Sequence, residues 1–180
     1  RHGEAVTALQ QGHKKFPDET ELRRELVRSL AVIGDSQRAF TLGEALARQF
    51  PHDLAIQKFF SQIAMSAGRD ADAERVLRRI LVQRPDDSPV LNDLAWVMRN
   101  DRTRSAEAVE FARRAVALSP EEANVWDTLA ELYRRAGMLR DALSAIERAI
   151  QLSDTPRAEL LARHRLILKA LKSSHRSDER

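Results

Sequence analysis

Five histidines, scattered serines and 27 acidic residues are the side chains from which a catalytic or metal centre would be assembled. His2, His13, His52, His164 and His175 stand far apart and share no metal-ligand spacing. Cysteine is absent, which removes disulfides, thiolate ligands and thiol nucleophiles. No serine–histidine–aspartate set, paired acid in a cleft or phosphate-cradling glycine loop can be assembled. The expectation is no catalytic residue, no metal ligand and no cofactor. What remains is recognition chemistry, for which the sharpest single residue is Trp96, a side chain typical of binding hot spots.

The bulk composition agrees with a folded scaffold. Hydrophobic residues make up 43% and charged residues 32% of 180, a globular balance with material for a core. The longest apolar run, Leu94-Ala95-Trp96-Val97-Met98, is far too short to span a membrane. The net charge of +3 is uneven: residues 157–180 hold seven Lys/Arg against three Asp/Glu, and the other 156 residues hold 23 against 24. The basic excess therefore sits at the C-terminal end. A body at −1 with one candidate stacking aromatic disfavours nucleic acid, although Arg24, Arg28, Lys58 and the tail keep polyanion binding as an alternative that salt would weaken steeply.

The elements that must position these groups are announced by punctuation. Pro17, Pro51, Pro85 and Pro120 are separated by 34, 34 and 35 residues. Twelve residues before each stands an alanine, Ala5, Ala39, Ala73 or Ala108, and Ala142 continues the series with Asp154 in the next proline's place. Gly34, Gly68 and Gly137 lie five or six residues before three of those alanines. A fixed period near 34 marks a solenoid of paired helices. Small residues allow the helix axes to approach, at Ala95 with Ala108 and at Ala130 with Ala142, while bulky neighbours fill the grooves. The glycines are expected as left-handed caps of the first helix in each pair, and Ser88-Pro89 and Thr155-Pro156 as cap-then-proline helix starts. Trp126 is expected in the core. Leu160, Leu161, Ile167, Leu168 and Leu171 form one stripe of an amphipathic helix, with His164 inside it as a partly buried, satisfied imidazole.

On these residues the chain resembles the tetratricopeptide repeat (TPR) family. Residues 123–156 match best, through Trp126, Leu129, Ala130, Tyr133, Gly137, Ala142, Ile146 and Ala149; residues 88–122 match through Leu91, Leu94, Ala95, Met98, Ala108 and Ala115, with one extra residue in the turn Asn100–Arg104. Residues 20–53 and 54–87 are looser, since Val27 and Ser61 replace a small residue and Gly43 stands where a bulky one is usual. The expected fold is all-α, a right-handed solenoid of tandem helix–turn–helix repeats. Its parts are a second helix of a truncated repeat at 1–19, repeats at 20–53, 54–87, 88–122 and 123–156, a capping helix at 157–172 and a polar tail at 173–180. The unpaired first helix implies further repeats upstream, or a second copy of the chain packed there.

The resemblance implies a scaffold that binds a protein or peptide on a concave face lined by first helices. By repeat register that face carries Arg24, Arg28, Lys58, Gln62 and Met65, then Asn92, Trp96 and Arg99, then Asp127, Glu131 and Arg134. It runs from basic to mixed or acidic, which would orient a partner by charge. The same residues also fit a solvated helix face, and Trp96 also fits packing against residues 58–65. Some TPR proteins clamp a terminal carboxylate with Lys, Asn and Arg, but the paired asparagines are missing here and Phe59 occupies another clamp place. The pairing of LNDLAWVM with NVWDTLAELYRRAGMLRDAL is similar to bacterial envelope TPR proteins of exopolysaccharide synthesis and export, which implies a periplasmic or envelope setting. Homo-oligomerisation through the open half-repeat is the alternative.

Overall fold

In the computed structural model, which describes residues 2–155 and 158–178, the chain is a succession of helices with no strand among those residues. They are α1 (His2–Lys15), α2 (Thr20–Val32), α3 (Ser36–Gln49), α4 (Leu54–Ser66), α5 (Asp70–Gln83), α6 (Ser88–Val97), α7 (Ser105–Leu118), α8 (Ala123–Arg135), α9 (Leu139–Gln151) and α10 (Ala158–Asp178). Two compact units divide them, residues 1–83 and 84–180. In the first, α2 pairs with α3 and α4 with α5, and α1 packs on α2; in the second, α6 pairs with α7 and α8 with α9, and α10 packs on α9. No described helix is long and apolar enough to cross a membrane.

The recurring prolines mark one turn used four times. After each second helix the chain closes a four-residue hydrogen-bonded turn, from Glu19 N to Phe16 O, Asp53 N to Phe50 O, Asp87 N to Arg84 O and Glu122 N to Ser119 O. Proline occupies its second position, where a fixed φ favours the turn and no N–H is needed. Asp53 and Asp87 then cap the next helix, Asp53 accepting from Ala55 N and Ile56 N and Asp87 from Val90 N. The expected Ser88 cap is thus corrected by one residue. Ser88 is the first residue of α6, and its hydroxyl donates 3.0 Å to Ala115 O on α7. The Thr155-Pro156 start falls partly on residue 156, outside the described residues.

Gly34, Gly68 and Gly137 adopt φ of 84°, 70° and 78°, the left-handed caps the spacing predicts. Each sends its N–H back three residues and the following N–H back five, as in Gly68 N to Met65 O and Arg69 N to Ala64 O. The repeat at 88–122 has no glycine at this place. There two 3₁₀ turns, Met98–Asn100 and Arg102–Arg104, flank Asp101. Its carboxylate accepts from Thr103 N, Thr103 Oγ1 and Arg104 Nε at 3.0, 2.6 and 2.8 Å. These bonds, Thr103's first, hold its pKa at about 2.

The crossing alanines behave as the spacing requires. Ala39, Ala73, Ala95, Ala108, Ala130 and Ala142 are all fully buried or within 1% of it. Ala5 departs from the series: it is exposed, and Val6 is the buried residue of α1. Gly43 departs from the family pattern for a local reason. A Cβ there would lie 3.4 Å from Phe60 Cδ2 and 3.7 Å from Val27 Cγ1, so the Phe60 ring fills the volume a side chain at 43 would take.

Two apolar expectations are corrected. Trp126 is half-buried, because a side chain on the first turn of α8 leans back over the preceding loop; its Nε1 donates 2.9 Å to Pro120 O. Leu161 lies 40% exposed, whereas Leu160 and Ile167 supply the buried contacts of α10. His164 is half-buried, with Nε2 3.8 Å from Glu147 Oε1. The helix also continues to Asp178, past the expected stop at Lys172.

Candidate recognition faces on the first helices

In the first unit the candidate side chains sit on α2 and α4. Arg24 and Arg28 are one turn apart and project over the same Phe59 ring on α4, with guanidinium carbons 5.5 and 5.4 Å from its centroid. Phe59 is only 7% exposed, so the ring is a fixed platform and not a mobile side chain. Each cation near the ring is favoured by its quadrupole, and the like charges are further offset by Glu21 and Glu25 on the same helix. Those acids are exposed, and surface pairs of this kind contribute little. Lys58, Gln62 and Met65 follow at i, i+4 and i+7 along α4 and share one helical face; Lys58 and Met65 are half-buried and Gln62 is exposed.

In the second unit Trp96, Arg99, Asp127, Glu131 and Arg134 are drawn into one cluster. Arg99 lies over the Trp96 ring at 4.4 Å and donates 2.7 Å to the Trp96 carbonyl. The centre of the cluster is Arg163 from α10, a helix expected from its sequence only as a cap. Arg163 donates to Asp127, lies 3.3 Å from Glu131, and places its guanidinium 6.0 Å from the Trp96 ring. Glu131 further accepts two bonds from Arg134, at 2.9 and 2.8 Å, and one from Arg135 at 2.5 Å. Burial alone would raise the Glu131 pKa, but the Arg134 and Arg135 hydrogen bonds and charges outweigh it and hold the carboxyl below its usual value. Burial likewise pulls the Arg163 pKa down, though a guanidinium remains cationic at any physiological pH. Asn92 is 8% exposed, and its Oδ1 is buried without a hydrogen-bond partner.

Arg163 had a legible signal. It lies three residues after Leu160 and four before Ile167, the spacing of the buried stripe. A charge at stripe spacing must find partners on the surface it is packed against. Among the described residues no three His, Asp or Glu side chains gather as metal ligands.

Comparison with known proteins agrees with this architecture. The family model described as tetratricopeptide repeat matches residues 34–96. The TPR repeat-containing protein PA4667 of Pseudomonas aeruginosa is 27% identical over 153 residues, covering 84% of this chain and 26% of that protein. Human protein O-mannosyl-transferase TMTC1 is 26% identical over 164 residues, 89% of this chain and 18% of the other. The chain therefore spans about a quarter or less of these relatives. Among solved structures, TTC0263 of Thermus thermophilus, a thermophilic TPR protein, has a TM-score of 0.74 at 22% identity, over 93% of this chain and 91% of that one. MamA 41-end from Desulfovibrio magneticus RS-1 has a TM-score of 0.72 at 20% identity, over 86% and 88%. At such identities the structures speak to fold alone.

Proposed function

Because the chain belongs to the tetratricopeptide-repeat family, we propose that it is a non-catalytic scaffold that binds a peptide or protein partner on its first-helix faces. The anchoring site is the α2–α4 face, where Arg24 and Arg28 receive carboxylates of an acidic segment and Lys58, Gln62 and Met65 extend the contact. Asn92, Trp96, Arg99, Asp127, Glu131 and Arg134 form a second contact zone on the other unit.

One observation carries this reading: two guanidiniums rest on a buried ring, held in place before any ligand arrives. A planar guanidinium matches a carboxylate with two parallel hydrogen bonds, and a fork already fixed by stacking loses less freedom on binding. The neighbouring Met65 supplies a soft apolar contact beside them. The open, helix-lined surface offers a partner length and not enclosure, which suits an extended or helical segment. The setting in an envelope or exopolysaccharide assembly rests on the similarity of residues 91–98 and 124–143 to such proteins, and fractionation of the native host tests it.

The experiment on the binding face is affinity capture with the wild-type chain, with Arg24→Glu/Arg28→Glu and with Trp96→Ala. The arginine reversal should abolish capture, which should also fade as salt rises, while the helical circular dichroism signal stays unchanged. Trp96→Ala should reduce capture by less. Capture unaffected by both variants removes the proposal.

A further inference from the structure

A different surface of the first unit carries a site that the first-helix faces do not include. Between α3 and α5, with α4 beneath, lies a cleft of about 290 Å³. Its floor is apolar: Ala47, Phe60 and Val76 are each at most 6% exposed yet line it. Gln57 lines it too and is 4% exposed. Its amide nitrogen donates to Ala47 O at 2.8 Å and Phe50 O at 3.0 Å, which ties α4 to the end of α3. Its carbonyl oxygen has no partner among the described residues and remains as an acceptor.

The rim carries three arginines and one carboxylate, Glu44 from α3, and is net cationic. Arg48 from α3 and Arg75 and Arg79 from α5 border the cleft. Arg48 bonds Glu44 on its own helix and Arg75 bonds Asp72 on its own, through exposed pairs that leave N–H groups of both guanidiniums to solvent. Arg79 makes no ion pair or hydrogen bond with the described residues. Three forked cations and one carboxylate, Glu44, already paired with Arg48, surround an apolar floor with the Gln57 carbonyl at its edge. The net positive rim still suits acidic groups, but a free small anion would leave the floor unused. The volume is near the lower bound for a ligand pocket, enough for one large side chain and not for a helix.

We propose that this cleft is a second peptide-binding site, which takes a single aromatic or branched apolar side chain flanked by carboxylates. The apolar side chain enters between α3 and α5, Gln57 accepts a backbone N–H, and Arg48, Arg75 and Arg79 receive the flanking acids. The site is independent of the α2–α4 face, and it stands or falls without it.

The absence of cysteine gives a local test. An environment-sensitive dye on His52→Cys, an exposed turn position next to Pro51 of the cleft, reports this site, and the same dye on Gln62→Cys reports the α2–α4 face. The probe is an acetylated, amidated hexapeptide with a central phenylalanine among glutamates. Its titration should change the His52→Cys signal. Arg75→Glu/Arg79→Glu should weaken that response roughly tenfold or more, and replacing the peptide's phenylalanine by serine should do the same. Arg24→Glu/Arg28→Glu should leave it within about twofold. A response confined to the Gln62→Cys reporter, no response at all, or one indifferent to both the arginine reversal and the serine peptide overturns the proposal. Arg75 and Arg79 are exposed, so an unchanged melting curve shows that the reversal has not unfolded the chain.

Discussion

The α2–α4 face and the α6–α8 face are built from the same repeat pattern and treat charge in opposite ways. On the first, Arg24 and Arg28 lie on a ring, and their acidic partners are neighbours on the same exposed helix. On the second, an arginine from α10 reaches across to Asp127 and Glu131, and Glu131 is bonded by two further arginines. The sequence register alone makes the second face mixed or acidic; the helix that follows supplies the missing cation. Register along a repeat therefore predicts which side chains share a face, and says less about their electrostatics once another element packs beside them. The difference leaves the first face with its arginines turned over a ring, as the proposed recognition site requires, and makes the second in part a structural joint.

The largest expected effect follows from that joint. Arg163→Ala leaves Asp127 and the buried Glu131 without their cross-helix partner and should destabilise the chain by about 2 kcal/mol, less than for a fully enclosed pair because its side chain keeps 16% exposure. Arg24→Ala on the other face should cost no more than about 0.5 kcal/mol. Urea unfolding of the two variants checks the contrast, and equal losses would erase the distinction between the faces.

A smaller effect separates the two kinds of turn. Gly137→Ala forces a Cβ into φ of 78° with no neighbour within 4 Å, so its cost is conformational, about 1 kcal/mol. That loss should be independent of pH. Asp101, which replaces the glycine solution in its repeat, should behave otherwise. Its folded pKa of about 2 lies below the ordinary 3.8, so its stabilisation is present above pH 4 and is lost as pH falls toward 2. Asp101→Asn should flatten that part of the stability curve, measured by thermal melts across the acid range, while Gly137→Ala shifts the curve without changing its shape.

Much of the fold is written in spacing. Prolines a repeat apart set the inter-repeat turns, alanines set the crossings and three glycines set the caps, because each residue type has one physical reason to be there. What spacing does not fix is anything decided by a second element. The cap of α6 moved from Ser88 to Asp87 because Ser88 found Ala115 O on the paired helix. Trp126 left the core for the Pro120 carbonyl, and Arg163 joined α6 and α8 from α10. The cleft between α3 and α5 was illegible for the same reason: its arginines come from two helices and look ordinary in either one.

Gly43 and Phe60 share one volume, and the ring already stands 3.4 Å from where a Cβ would be. Mutational change at the two sites should then be linked. A side chain larger than alanine at 43 would run into the Phe60 ring, so bulk restored there should be tolerated best together with a smaller residue at 60.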